Sequence, residues 1–179
     1  MRVWLVTGTS SGFVSFIVDE ALDRGDKVLI ASPTPDTLPA SLRHPRPNLA
    51  LHRLDGTDDA HAEQAVHATV TAFGRIDVVL TIAGLGLVGA IEEVSDAELR
   101  MMFTTNVFDQ LTTVRAALPV LRAQRAGHLI VMSALGGSSE LPGWGVYQAT
   151  KFASQGICEA LSTELRPLGI GVTYLEPGL

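Results

Sequence analysis

Short apolar runs alternate along this chain with longer segments in which apolar positions recur with a helical period. Short continuous apolar runs are typical of strands that are buried on both faces of a parallel sheet. Five such runs occur, at Val3–Val6, Val28–Ala31, Val78–Leu80, Leu129–Met132 and Val172–Leu175. A sixth run, Leu49–Leu54, alternates apolar and polar residues, which predicts a strand nearer the edge of the sheet.

Helices are predicted between these runs, where apolar residues are spaced for one face of a helix. The helical segments are Phe13–Arg24, Asp59–Phe73, Asp96–Gln124 and Trp144–Arg166. Left-handed C-terminal caps are expected at the glycines that follow helices, namely Gly25, Gly74, Gly127 and Gly169. The proline-rich stretch Ser32–Pro47 predicts a loop within the domain.

Regular alternation of strands and helices with short connections predicts an α/β fold built from right-handed βαβ units. We therefore expect a Rossmann-type, doubly wound parallel sheet with helices on both faces and the strand order 3-2-1-4-5-6. The whole chain, residues 1–179, is expected to form this single domain.

Composition narrows the classes of partner. A net charge of −6 argues against a nucleic-acid partner, which would favour a basic surface. No apolar run has the length of a membrane span, and Val3–Val6 leaves no room for a signal peptide. The single cysteine, Cys158, agrees with a reducing compartment. We expect a cytoplasmic protein, a homo-oligomer, with no membrane partner and a small-molecule substrate.

Two local patterns suggest chemistry. Gly8 and Gly12 lie between the first strand and the first helix, where glycines allow a backbone to approach a pyrophosphate. An ordinary glycine-rich turn is the alternative.

Tyr147 and Lys151 are four apart on a predicted helix, so a cation would lie beside the phenol and lower its pKa. A surface pair is the alternative, and Asn106 alone suggests a surface or helix-packing amide.

Together these patterns resemble the short-chain dehydrogenase/reductase family, whose members are NAD(P)-dependent oxidoreductases. The resemblance covers the chain from end to end. It implies that Tyr147, Lys151 and Asn106 are catalytic. It also implies a set of cofactor-binding positions that includes Tyr147 and Lys151, together with Gly8, Ser10, Ser11, Gly12, Phe13, Asp55, Gly56, Ala83, Gly84, Pro177 and Gly178.

The resemblance further implies a mechanism. Tyr147 would exchange a proton with a carbonyl or secondary alcohol, and Lys151 would lower the tyrosine's pKa and bind the nicotinamide ribose. Asn106 would hold a water that links Lys151 to solvent. The hydride would pass to or from NADP or NAD.

Several positions depart from the family pattern. The third glycine of the turn is Val14, which should push the helix outward or be absorbed by a shifted neighbour. Thr81 and Ile82 replace two asparagines. The position of the catalytic serine holds Ala134, so the hydroxyl group would come from Ser133, from Ser138 or from neither. If strand geometry persists, Ser133 should point away from the substrate.

The preferred cofactor and the activity both depend on features near the ends of strands. Ser32 and Thr34 follow the second strand where an acidic residue would favour NAD, so NADP is preferred, with Arg43 and Arg46 as further candidates. The family's substrate-covering segment would follow the Pro-Gly turn, and without it the run Val172–Leu175 should be an exposed edge. A non-catalytic nucleotide-binding or oligomerising relative is the alternative function.

Overall fold

The strands of the structure, a computed structural model, lie where the apolar runs predict them. Residues 1–8, 12–44, 46–54, 58–82, 84–134 and 142–177 are described. The strands are β1 (Val3–Thr7), β2 (Lys27–Ser32), β3 (Leu49–Arg53), β4 (Val78–Thr81), β5 (Gly127–Met132) and β6 (Ile170–Leu175). They form one parallel sheet in the order β3-β2-β1-β4-β5-β6, so the predicted topology is confirmed and β3 is an edge strand.

Helices cover both faces of this sheet. They are α1 (Gly12–Asp23), α2 (Ala40–Arg43), α3 (Asp59–Phe73), α4 (Asp96–Phe103), α5 (Asp109–Gln124) and α6 (Gly145–Leu165). Alternate strand residues face two cores: Leu5 contributes to the core beneath α3, α5 and α6, and Val6 to the core beneath α1. Within the described residues, no helix combines the length and apolar character needed to span a bilayer.

The prediction that Ser32–Pro47 is only a loop is wrong, because this stretch contains α2 and a 3₁₀ turn at Pro35–Thr37. Leu38 and Leu42 are spaced four apart and are both buried in the core beneath α1. Their burial stabilises a helix that is too short to be recognised by its period.

The helix predicted over Asp96–Gln124 is interrupted by a π-helical turn, Thr104–Phe108, which separates α4 from α5. The amide of Asp109 donates to the carbonyl of Thr104, five residues earlier, so this turn holds one residue more than a regular turn. The wider turn directs Asn106 into the interior.

Three of the predicted glycine caps are confirmed by positive φ angles, at Gly25, Gly74 and Gly169. The prediction for Gly127 is wrong, because Arg125 adopts the left-handed conformation that ends α5. Gly127 instead begins β5 with a φ of 146°, and a Cβ there would lie 2.7 Å from Cδ2 of Leu121.

Replacing Gly127 by alanine should therefore lower the free energy of unfolding by about 1–3 kcal/mol, because the added methyl overpacks the core and strains the backbone. Gly156 is the matched control, since it lies in α6 and a Cβ added there would have no neighbouring atom within 4 Å. Gly156→Ala should stabilise the protein by about 0.5–1 kcal/mol through helix propensity. Urea unfolding measures both, and a Gly127→Ala protein as stable as wild type contradicts the packing argument.

Candidate active site

The candidate site lies at the carboxyl ends of β1, β4 and β5. The chain moves outward from β1 through β2 to β3, and then from β4 through β5 to β6 on the other side. Ligands of open α/β sheets bind in the crevice where the strand order reverses in this way. Gly8, Gly84 and Ser133 each come shortly after one of these strands, so the fold brings the three predicted regions together.

The two glycines of the predicted phosphate-binding turn, Gly8 and Gly12, lie where β1 ends and where α1 begins. Gly8 follows β1 with a φ of 128°, a conformation that favours glycine. The first turn of α1, which begins at Gly12, contains no acidic residue, so its positive dipole end is not neutralised from within the helix. Phe13 is about half exposed beside this end.

Val14 is accommodated where the sequence predicted a steric conflict. Its side chain is only 1% exposed and packs in the core with Val6 and Val18. The valine therefore serves as a core residue at the start of α1.

Asn106 joins the loop after β4 to the helix that carries Tyr147 and Lys151. Its Oδ1 accepts from the amide of Leu85 at 2.7 Å, and its Nδ2 donates to the carbonyl of Leu85 at 2.9 Å. Nδ2 also donates to Oγ1 of Thr150 at 3.0 Å, and Ser154 Oγ donates to the Asn106 carbonyl. Since Asn106 is 0% exposed, its interpretation as a surface amide is wrong.

Tyr147 and Lys151 lie together on α6, as their spacing predicts. The Nζ atom of Lys151 is 5.4 Å from the centroid of the Tyr147 ring, and the lysine is 3% exposed. A Cβ at Gly84 would lie 3.4 Å from this Nζ and 3.5 Å from Oδ1 of Asn106. Glycine at this position thus lets the loop backbone approach both polar groups closely.

Burial shifts the pKa values of Lys151 and Tyr147 from their ordinary values. Burial lowers the pKa of Lys151 to about 8 because the charged ammonium is desolvated. Burial also raises the pKa of Tyr147, opposite to the direction expected from a neighbouring cation. Although Nζ of Lys151 lies over the ring of Tyr147, desolvation is the largest cause of the pKa shifts of both residues.

Lys151→Met should increase the free energy of unfolding of the cofactor-free protein at pH 7 by about 1–3 kcal/mol, because a charge there costs on the order of 3 kcal/mol. Below pH 8 both the folded and unfolded forms carry the proton, and the penalty is complete. Between about 8 and 10.5 the folded protein loses its proton first, so the gain should vanish as pH rises. Lys27→Met, at the other lysine of the sequence, is the control, and a gain independent of pH contradicts the charge argument.

Ser133 lies immediately after β5, and its hydroxyl faces β6. Its Oγ donates a short hydrogen bond to Oη of Tyr174, which donates to the carbonyl of Lys151 at 2.8 Å. The amide of Ser133 donates to the carbonyl of Leu175 at 2.7 Å, which extends the ladder between the strands. The serine hydroxyl is therefore held beneath the helix, and Ala134 supplies no hydroxyl in its place.

The remaining predicted site residues are placed only in part. Pro177 is half-buried, two residues after β6. The other predicted positions lie outside the described residues: Ser10, Ser11, Asp55, Gly56, Ala83, Ser138 and Gly178.

Comparisons with known proteins decide the family. The family model described as short chain dehydrogenase matches residues 2–179. This chain belongs to the short-chain dehydrogenase family. It is 34% identical over 178 residues to Oxidoreductase BOA17 of Botryotinia fuckeliana, covering 99% of this chain and 65% of that protein. The chain thus spans just under two thirds of the length of that relative.

Solved structures share the fold. A short-chain dehydrogenase from Streptomyces avermitilis superposes with a TM-score of 0.93 at 35% identity, over 100% of this chain and 67% of that one. ElxO with NADP bound shares the fold with a TM-score of 0.88 at 24% identity, over 100% of this chain and 74% of that one.

Sequence reasoning missed three residues that contribute to the candidate site. Tyr174 holds Ser133, while Leu85 and Thr150 hold Asn106. A signal existed for Tyr174, because it is an aromatic residue within an apolar strand run. Leu85 contributes backbone atoms, so its identity carries no signal.

Proposed function

We propose that this protein is an NAD(P)-dependent oxidoreductase that transfers a hydride between the nicotinamide cofactor and a carbonyl compound or secondary alcohol. The observation that carries the proposal is the buried Lys151 packed against the Tyr147 ring. A buried ammonium without a function lowers stability, and folding alone would not favour it.

The residues of the site divide the work. Tyr147 gives a proton to the carbonyl oxygen during reduction and accepts one during alcohol oxidation. Lys151 has a pKa of about 8, so it can stabilise the phenolate and exchange a proton near neutral pH. Asn106 fixes the loop at Leu85 against α6, which holds the two catalytic groups in position. The cofactor, when bound, supplies or accepts the hydride.

The described residues fit a dinucleotide. The Oγ atom of Ser15, in the first turn of α1, and Oγ1 of Thr81, at the end of β4, are buried and have no hydrogen-bond partner among the described residues. Thr81 pairs with Thr7 at the carboxyl end of β1, next to Gly8, and Ser15 lies in the helix that follows β1 in the chain. The backbone at Gly12 and the uncompensated helix dipole would hold the pyrophosphate.

We favour NADP over NAD because no acidic side chain ends β2. Ser32 is buried there, and its Oγ accepts from the amide of Thr34. Arg46 is 3.9 Å from Asp19, so its charge is directed toward α1. Arg43 is exposed on α2 and is the better candidate to bind a 2′-phosphate.

Gly12→Asp should weaken NADPH binding at least about tenfold, because a carboxylate at this helix end repels the pyrophosphate. The same carboxylate favours the helix dipole, so the fold should be retained. Gly12→Asn is the uncharged control. Fluorescence titration with NADPH measures the dissociation constants, and equal affinities for the aspartate variant and wild type would rule out this site for the pyrophosphate.

The reaction itself is tested on the complete protein by following NADPH consumption with a series of ketones and aldehydes. Hydride transfer that depends on the carbonyl compound supports the proposal. An absence of turnover with NADPH bound would favour the second function, a non-catalytic nucleotide-binding relative. The observation in favour of that second function is Ala134, which lacks the hydroxyl that would orient a substrate oxygen.

We further propose that the protein is a homo-oligomer in the cytoplasm. Phe108 and Phe152 are each 55% exposed, on neighbouring helical segments, which supports burial against a second copy. Cys158 is a free, buried thiol, and burial raises its pKa to about 11, which agrees with a structural role in a reducing compartment.

A further inference from the structure

Two loops meet beside Tyr147 and place apolar side chains at the surface. The amide of Gly89, in the loop after β4, donates to the carbonyl of Gly143, just before α6, at 2.8 Å. The loop after β4 carries Leu85, Val88 and Ile91, and the loop before α6 carries Trp144. We call these four residues the apolar wall, and its two halves are the two loops. The backbone hydrogen bond fixes the two halves of the wall against each other.

Glycines allow the two halves of the apolar wall to approach closely. A Cβ at Gly145 would lie 3.1 Å from Cδ1 of Ile91, and a Cβ at Gly86 would lie 3.4 Å from the Trp144 ring. Larger residues at these positions would separate the two loops. The apolar wall is therefore a packed surface and not a chance grouping of loop residues.

The apolar wall remains accessible despite this packing. Val88 is 64% exposed and Ile91 is 73% exposed. Exposed apolar side chains that form a contiguous patch mark a binding surface. A ligand that covers them gains the free energy of burying their apolar area.

The apolar wall leads directly to the proposed proton donor. The ring centroids of Trp144 and Tyr147 are 5.3 Å apart at an interplanar angle of 68°, an edge-to-face contact. The loop after β4 is also held in place, because the side chain of Asn106 forms hydrogen bonds with the backbone amide and carbonyl of Leu85. A carbonyl group at the phenol of Tyr147 would thus place its substituent along the apolar wall.

The charged residues of the two loops restrict which substrate substituent could bind along the apolar wall. Residues 84–95 and 142–147 contain no lysine, arginine or histidine, so these loops offer no cation to a carboxylate or phosphate. Their acidic residues are Glu92 and Glu93, and Glu93 accepts from the amide of Ala90. An anionic substituent would be desolvated there without a partner.

We propose that the substrates are uncharged ketones or alcohols with an aromatic or comparably bulky apolar group, and that Trp144 is a specificity-determining residue that packs against this group. This inference rests on the proposed oxidoreductase function. It goes beyond that function by naming the substituent that the apolar wall selects.

The test compares three ketones that differ only in the substituent: 2-butanone, 4-phenyl-2-butanone and its para-carboxylate analogue. The value of kcat/KM for 4-phenyl-2-butanone should exceed the other two by at least about tenfold, the scale of a hydrophobic pocket. Trp144→Ala should remove most of this preference. Val88→Ser, at an exposed position where folding is not at risk, should reduce it as well, whereas Phe16→Ala on the outside of α1 should not.

Binding is measured separately from turnover through the fluorescence of Trp144. The sequence contains one other tryptophan, Trp4, whose Nε1 donates to Asp26 at the opposite end of the sheet. In a Trp4→Phe protein, 4-phenyl-2-butanone with NADP bound should quench Trp144 at concentrations at least about tenfold lower than 2-butanone does. Quenching without turnover would refute the oxidoreductase function but retain the apolar wall. Turnover with equal kcat/KM for the three ketones would overturn the apolar wall alone.

Discussion

Replacing Tyr147 by phenylalanine should lower kcat for carbonyl reduction by about 10²–10⁴-fold, the usual contribution of a positioned general acid. The phenol oxygen is the atom that would reach the carbonyl, whereas the ring, which phenylalanine retains, packs against Trp144 and beneath Lys151. The dissociation constant for NADPH should therefore remain near that of wild type. Steady-state kinetics and NADPH titration on the complete protein measure the two effects.

The only other tyrosine of the sequence provides the matched control. Tyr174 lies between Ser133 and the carbonyl of Lys151, so its hydroxyl is engaged in structural hydrogen bonds. Tyr174→Phe removes both structural hydrogen bonds but no group that would reach the substrate, so it should lower kcat by less than about tenfold. A Tyr147→Phe protein that keeps more than a tenth of its rate, or a Tyr174→Phe protein that loses as much, contradicts the assignment of the proton donor.

Ala134→Ser should raise kcat/KM by up to about 10²–10³-fold, because one well-placed donor to a developing oxyanion has this effect. The family resemblance aligns Ala134 with the catalytic serine, and we propose that Ser133 does not compensate because its Oγ donates to Tyr174. Kinetics of the variant against wild type with the same ketone measure the gain. A gain of this size means that the natural site is weakened by the missing hydroxyl.

If Ala134→Ser does not raise kcat/KM, two further variants distinguish the possible reasons. Ser133→Ala is expected to disturb Tyr174 without removing the donor to the substrate. If Ala134→Ser has no effect while Ser138→Ala inactivates the protein, Ser138 is the working hydroxyl and the proposed deficiency is refuted. If both serine variants retain the wild-type rate and Ala134→Ser still gives no gain, a donor at this position is not needed.

Most of the fold follows from local pattern, and the exceptions have physical causes. Strand runs such as Val3–Val6 predicted the strands, because burial on both faces leaves an unbroken apolar run. The alternation of strands and helices predicted the order of the strands in the sheet. The helix α2 was not predicted, because its four residues are too few to show a helical period in the sequence. Arg125 caps α5 in place of Gly127, and a non-glycine residue in that conformation leaves no compositional signal.

The site was predictable where it depends on spacing along one helix and unpredictable where it depends on burial. Tyr147 and Lys151 meet because residues four apart share a helical face. The pKa of Tyr147 is raised instead of lowered because desolvation dominates, and the extent of burial is a property of the assembled fold. The contact between Ser133 and Tyr174 joins two strands that are distant in sequence, and no local pattern encodes it.

The π turn at Thr104–Phe108 makes the site sensitive to chain length as well as to residue identity. The turn holds one residue more than a regular α-helical turn, and one residue corresponds to one codon of the gene. Deleting a single residue there would close the wide turn to a regular α-helical turn, which keeps the flanking helices in phase but repositions the residues within the turn. Asn106 would then lose its contacts with Leu85 and Thr150, although every site residue would still be encoded. A one-codon deletion at this turn should therefore separate the two halves of the site while leaving its composition intact.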